Sequence, residues 1–238
     1  MRINVYISAS GFCSRRAAER LVASGQVKIN GILAEKNSNV EENDIVTIKN
    51  EKIQLTSEKD YIILNKPVGI TCTGLRTVEG NIIDFVNYPR RVFPIGRLDK
   101  DSEGLIILTN DGPIAHKILH SEHGHEKEYI VTVDKPINEA FILGMSNGVL
   151  LGDILTKKCF VSKIDEYTFR IILTQGLNRQ IRKMAKNFGF KVVRLKRVRI
   201  MNINLANLAI GKWRNLTTVE INELREQLKE EENNENLN

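Results

Sequence analysis

The apolar residues of this chain fall into short blocks, some helical in period and some strand-like, separated by glycine, proline and asparagine turns. Residues 1–8 carry a short helical pattern that stops at Gly11. Ser14 reads as the N-cap of a second helix running through Val22, and Gly25 as its stop. Residues 26–31 alternate like a strand entering an Asn30-Gly31 hairpin turn. Residues 46–48 close this first unit, and residues 56–60 read as a linker. A second unit opens with residues 61–66, a buried strand stopped by Pro67, followed by a β-rich run at 68–73. Residues 90–95 lead into a loop and the apolar run Leu105-Ile106-Ile107-Leu108, with a turn at residues 109–112. Gly112-Pro113 starts a helix through Leu119. Residues 127–133 alternate, with Tyr129, Val131 and Val133 on one face, and residues 167–173 make a further strand. Ile181, Met184, Ala185 and Phe188 fall at i, i+3, i+4 and i+7, a core-facing helical stripe. Residues 217–230 predict a last helix with Ile221, Leu224 and Leu228 on one face, and residues 231–238 an acidic, disordered tail. Strands and helices mix without a regular βαβ repeat, so the fold class is α+β with a mixed or largely antiparallel sheet.

Composition narrows the class of protein only a little. At 238 residues, with 42% hydrophobic and 27% charged residues, the chain is long enough for one large or two modest domains. No apolar stretch approaches a membrane span, and the N-terminus lacks the apolar core of a signal peptide. Cys13, Cys72 and Cys159 are far apart and form no CxxC, so they read as reduced thiols of a cytoplasmic protein.

The distribution of charge says more than the net +6. Between Asn178 and Arg199 the basic residues meet no Asp or Glu, and like charges so close repel unless something anionic neutralises them. Arg15 and Arg16 open a helix whose dipole they oppose, a conflict that a bound phosphate resolves.

Candidate chemistry concentrates in Gly96-Arg97-Leu98-Asp99-Lys100-Asp101-Ser102-Glu103-Gly104, where Asp99 stands on a glycine-bracketed loop at the mouth of a buried strand. An aspartate in such a loop can equally serve only to turn the chain. Arg182 lies between the apolar and basic faces of its helix, a border position that suits a half-buried cation needing an anion, and Asp99 is the natural partner. Arginine snorkelling along the helix surface is the alternative. His116, His120, His123 and His125 are clustered, but no Glu or Cys completes a zinc set. There is no phosphate-binding glycine loop, dinucleotide fingerprint or metal-ligand spacing, so no cofactor and no metal are expected.

Three motifs, in order, give the chain a family. The run GRLDKDSEGLIILTNDG resembles the signature of RsuA/RluB/RluF-type ribosomal RNA pseudouridine synthases. His125-Glu126-Lys127-Glu128-Tyr129-Ile130-Val131 is similar to that family's second motif, and residues 175–184, QGLNRQIRKM, to its third. Residues 177–182, 199–203 and 211–217 look most like the large-subunit, F-type branch. The resemblance implies the pseudouridine synthase fold behind an N-terminal S4 (α-L) RNA-binding domain, with residues 1–57 and 60–230 as the two domains. It implies isomerisation of a uridine in 23S rRNA without a cofactor, by a cytoplasmic monomer. Asp99 would be catalytic, Tyr129 would stack on the base, Arg182 would pair with Asp99, and Arg97 would fill the space left by the extruded nucleotide. Arg2, Ser14, Arg15, Arg16 and Lys28 of the S4 domain would face RNA, as would Asn178, Arg179 and Lys183. Two other readings stand beside this one: the same reaction on a tRNA anticodon stem, and a non-catalytic S4-type assembly protein.

Overall fold

In the computed structural model, residues 1–119 and 124–235 are described, with side chains as far as residue 229. The chain forms two units, each with its own core. The first comprises Met1–Asp60 with Tyr88–Val92 and Asn110–Gly112. It contains α1 (Ile3–Ala9), α2 (Arg15–Ala23), β1 (Val27–Ile29), β2 (Ile32–Leu33), β3 (Val46–Ile48) and β4 (Glu51–Ile53). The strands form an antiparallel sheet in the order β2-β1-β3-β4. Ile3 and Ile7 of α1, Ala18 and Val22 of α2, and Val27, Val46 and Ile48 of the sheet close the core. The i, i+4 pair Ala18 and Val22 sets the buried face of α2.

Ser14 caps α2, its hydroxyl accepting from the Ala17 N–H at 3.3 Å. Asn30 and Gly31 both take positive φ, 51° and 83°, the backbone of a two-residue hairpin turn. The same geometry recurs at Lys49 and Asn50, φ 52° and 69°, and carries the chain into β4. That strand lies beyond the expected end of the unit at Ile48, because a Lys-Asn turn has none of the glycine signal that marks Asn-Gly. The supposed linker also ends in structure. Asp60 is 5% exposed and accepts from the Tyr88 hydroxyl at 2.8 Å, from Asn110 Nδ2 at 3.0 Å and from the Arg90 guanidinium.

The second unit comprises Tyr61–Asn87, Phe93–Thr109 and Pro113–Asn238. Its strands are β5 (Tyr61–Lys66), β6 (Phe93–Ile95), β7 (Glu103–Thr109), β8 (Lys127–Val133), β9 (Leu150–Leu151), β10 (Ile154–Leu155), β11 (Phe160–Lys163), β12 (Thr168–Leu173), β13 (Val192–Ile200), β14 (Ile203–Asn204) and β15 (Trp213–Asn215). Its helices are α3 (Ile82–Val86), α4 (Gly112–Leu119), α5 (Glu139–Ser146), α6 (Gln180–Asn187) and α7 (Thr218–Glu235). The main sheet runs β11-β12-β8-β13-β7-β5-β15, with β14 on β13 and β6 on β7. Every pairing in it is antiparallel except β13 with β7, so the expected mixed sheet is present.

Strands β5 and β7 are buried along their whole length, as the apolar runs within them, residues 61–64 and 105–108, require. At the sheet's other end β12 alternates, Phe169, Ile171 and Leu173 facing inward against α5 and α6. The parallel join rests on one glycine. Gly104 has φ +105°, and a side-chain carbon there would stand 2.8 Å from the Arg197 nitrogen and closer still to its carbonyl oxygen. Only a residue without Cβ lets β7 approach β13 at this point.

Two expectations are corrected. Residues 68–73 form no strand beyond a single bridge of Thr71 to Asn81. Gly69 at φ +93° turns the chain, and the buried Lys66 ammonium instead gathers the carbonyls of Pro67 and Ile70, each at 2.8 Å. Helix α7 continues to Glu235, through most of the segment expected to be disordered, while residues 236–238 lie outside the described residues. No helix among the described residues is long and apolar enough to cross a membrane.

Candidate active site

Asp99 is held by the loop that precedes β7. Gly96 turns it at φ +73°, Leu98 anchors it in the core at 6% exposure, and the Ser102 N–H closes it on the Asp99 carbonyl at 3.0 Å. The loop is clamped from beneath by residues 66–73. The Gly69 N–H donates to the Lys100 carbonyl at 2.8 Å, and the Leu98 N–H to Cys72 Sγ at 3.4 Å. Burial pushes the Lys66 ammonium's pKa down, against the pull of Cys72, Asp101, Asp99 and Glu103. Residues 68–73 thus brace the loop in a role that alternation of residue types does not reveal.

The Asp99 carboxylate borders a cleft of about 450 Å³. One wall is a sheet face: Lys127 and Tyr129 of β8, Leu173 of β12, and Leu195 and Arg197 of β13. Their register explains the grouping, since Tyr129 pairs with both Ile171 and Arg197, Lys127 with Leu173, and Val131 with Leu195. Tyr129 is half-buried and packs against the core at its inner edge while opening to the cleft, so the ring has an apolar face to offer and a polar end. A second part of the lining comes from Leu177, Asn178, Arg179, Gln180 and Arg182. Buried Gln180 accepts from the Leu177 N–H at 3.1 Å, which fixes this entry to α6. Arg179 takes a left-handed backbone there, φ 52°, an uncommon conformation for a residue other than glycine.

The pairing around Asp99 differs from expectation. Arg182 is 13% exposed, as its border position predicted, but its ion pair is with Asp101 at 3.5 Å. Its guanidinium also donates to the Asp101 carbonyl at 2.9 Å, the Ser102 hydroxyl at 3.2 Å and the Val192 carbonyl at 3.1 Å. Arg179 is the cation nearest Asp99, at 3.6 Å, while it grips Asp101 through two hydrogen bonds of 3.0 and 2.9 Å. Those bonds hold the Asp101 carboxyl below the usual carboxylate range. Arg182 is therefore a tie across the base of the loop, because its fork meets the backbone first. Sequence position alone could not separate two arginines three residues apart.

Of the other expected residues, Arg97 lies exposed on the rim of the cleft and Asn178 in its wall, whereas Lys183 is exposed outside it. Arg2, Ser14, Arg15 and Arg16 are exposed on the first unit, and half-buried Lys28 reaches Asn50 at 3.4 Å. The basic run also finds anions within the protein. Arg194 pairs with Glu103 at 2.6 Å, and Arg199 with Glu126 at 2.7 Å and Glu128 at 2.8 Å. Carboxylates distant in sequence thus neutralise much of a stretch that looked destined for phosphate. His120 and His123 of the histidine cluster lie outside the described residues, and no group of three metal-ligating side chains occurs among those described. Lys127 and Arg197 were not singled out as site residues; the signal was there in the two-residue spacing of Lys127 from Tyr129 on one strand.

Comparison with known proteins adds a family. The profile described as RNA pseudouridylate synthase matches residues 60–187, and that of the S4 domain matches residues 1–46. The chain is 51% identical to the dual-specificity RNA pseudouridine synthase RluF of Escherichia coli K12, over 94% of this chain and 78% of that one. It is 32% identical to the ribosomal large subunit pseudouridine synthase B of Bacillus subtilis, over 94% and 95%. A crystal structure of a pseudouridylate synthase superposes with a TM-score of 0.69 at 30% identity, covering 94% of this chain and 99% of the other.

Proposed function

From the premise that the chain belongs to the RNA pseudouridylate synthase family and carries an S4 domain, we propose that it isomerises a specific uridine of 23S rRNA to pseudouridine. The observation that carries this reading is that Asp99 and Tyr129 line one cleft, in a chain half identical to RluF. The large-subunit naming of the relative from Bacillus subtilis supports the choice of RNA. The proposed partner is 23S rRNA or a large-subunit assembly intermediate, bound by a single copy of the chain in the cytoplasm. Residues 1–57 would grip the RNA and residues 60–230 would do the chemistry.

The reaction moves the bond between base and sugar from N1 to C5 of uracil. The target nucleotide must first leave its stack, at a cost of a few kcal/mol, and Arg97, exposed on the rim, would occupy the gap. Tyr129 then carries the ring on its face. Asp99 acts on the ribose, adding to C1′ or accepting the proton of C2′. Either route leaves the electron pair of the N1–C1′ bond on the uracil. C5 then bonds to C1′ as the Asp99 oxygen leaves it, or as Asp99 returns its proton to C2′; C5 loses its own proton and N1 gains one. No atom enters or leaves overall, so no cofactor has a task.

RNA labelled with tritium at uracil C5 therefore releases it on turnover, and transcribed 23S rRNA is the substrate expected to do so with the purified protein. The word dual-specificity in the name of the relative from Escherichia coli favours a second reading, the same reaction on tRNA. Tritium release from labelled tRNA tests it. Binding by the first unit has its own check. Replacing Arg15 and Arg16 by Ala should weaken RNA affinity and reduce the slope of log affinity against log salt by about 1 to 2. An unchanged slope removes these side chains from the interface.

A further inference from the structure

Lys127 is unusual among the cations of this chain. It is half-buried in the sheet wall of the cleft, and among the described residues its Nζ makes a single hydrogen bond, 3.0 Å to the His125 carbonyl. No carboxylate pairs with it among the described residues, although four neighbouring arginines, at 179, 182, 194 and 199, all have one. Arg197 lines the same cleft, its charge acting on Lys127; it is 3% exposed and tied by its Nε to the Leu105 carbonyl at 2.7 Å. The Nη2 of Arg197 is buried and has no hydrogen-bond partner among the described residues. Two cations lining one cleft, neither with a carboxylate partner among those residues, are costly. A structural lysine would not need to be there, since an apolar side chain would fill the same wall.

Resting on the function proposed above, we infer that Lys127 is a further catalytic residue, donating a hydrogen bond to a uracil carbonyl and stabilising the base as it departs. Arg197 supplies the positioning charge. When the N1–C1′ bond breaks, its electron pair spreads over N1, O2 and O4 of the uracil, so negative charge grows on the carbonyl oxygens. A fixed ammonium with two N–H groups unpaired among the described residues meets that charge as it develops and has little to bind in the neutral ground state. As C5 bonds to C1′ and N1 takes a proton, the charge disappears and the product is released. Tyr129, two residues along the same strand, lays the ring flat beside Lys127.

The charged and titratable groups around the ammonium predict how the site responds to pH. The Arg197 charge acts on it directly, while Tyr129 from its own strand, Asp99 and Arg97 from the loop, Arg179 just before α6 and Arg182 within it share the lining of the cleft. Burial, helped by the Arg197 charge, lowers the pKa of Lys127 to about 8. The competent form is protonated, so turnover is complete below that value and falls as pH rises through it. Arginine in its place stays charged.

The test is single-turnover tritium release by the full chain, as wild type, Lys127→Met and Lys127→Arg, from pH 6.5 to 9.5. The expected result is a fall in turnover of about 10²-fold for Lys127→Met with KM changed less than threefold. Lys127→Arg should recover part of that loss and lack the decline above pH 8. Both variants share the substrate's own titrating N3–H with the wild type, so a difference between profiles belongs to the ammonium. Lys127→Met that turns over within threefold of wild type overturns the assignment, as does a change confined to KM. So does a decline near pH 8 that persists in Lys127→Arg. A wild type that releases no tritium from any RNA removes the underlying function and this inference with it.

Discussion

Asp99→Asn is expected to lose turnover by at least about 10⁴-fold while binding its RNA as well as the wild type. The amide is nearly the same size as the carboxylate, and the loop does not depend on the charge. Leu98 in the core, the Ser102 N–H and the Gly69 N–H hold the backbone whichever side chain is present. Arg179 keeps its two bonds to Asp101, and Arg182 its ties to the Asp101 carbonyl and Ser102. What disappears is the anion that the proposed chemistry sets against the ribose. Affinity is preserved because Asp99 sits among Arg97, Arg179 and Arg182, where losing a negative charge favours a polyanion if it does anything. Tritium release and filter binding on the same preparation measure both quantities. Turnover within tenfold of wild type would remove Asp99 from the chemistry, and a large loss of affinity would make it a binding residue.

Gly104→Ala should be the most damaging small substitution in the second unit. The added methyl meets backbone atoms of Arg197 rather than a flexible side chain, and the φ of +105° is itself strained for alanine. The parallel pairing of Glu103 and Gly104 with Lys196 and Arg197 must open to admit it. We expect a loss of at least about 3 kcal/mol, a fall in melting temperature of about 10 °C. Gly152→Ala is the control. It also carries a positive φ, +66°, but nothing lies within 4 Å of the new carbon, so it should cost only about 1 kcal/mol. Equal melting temperatures for the two variants would mean that strand approach does not decide the effect.

Much of the fold was legible because local signals agreed with tertiary ones. The Ser14 cap, the Asn30-Gly31 turn, the apolar stripe of α6 and the alternation of β8 and β12 each state a local preference that packing then honours. Where they diverged, a long-range contact decided. Residues 68–73 have strand-like composition, yet the Lys66 ammonium and Gly69 fold them beneath the Asp99 loop. Asp60 looked like linker until Arg90 and Asn110 closed on it from residues 30 and 50 positions away. The site was legible at the level of motifs. Asp99, Tyr129 and Arg182 do line one cleft. Which arginine lies nearest Asp99, and which carboxylates quiet the basic run, depend on loop geometry and sheet register, and neither is written in local spacing.

The most direct measurement maps pseudouridines across the ribosomal and transfer RNA of cells lacking this gene, complemented with wild type or with Asp99→Asn. Loss of a 23S rRNA site, restored by wild type and not by the variant, is the predicted result. An unchanged map, or a map fully restored by Asp99→Asn, would contradict the claim that this cleft isomerises uridine.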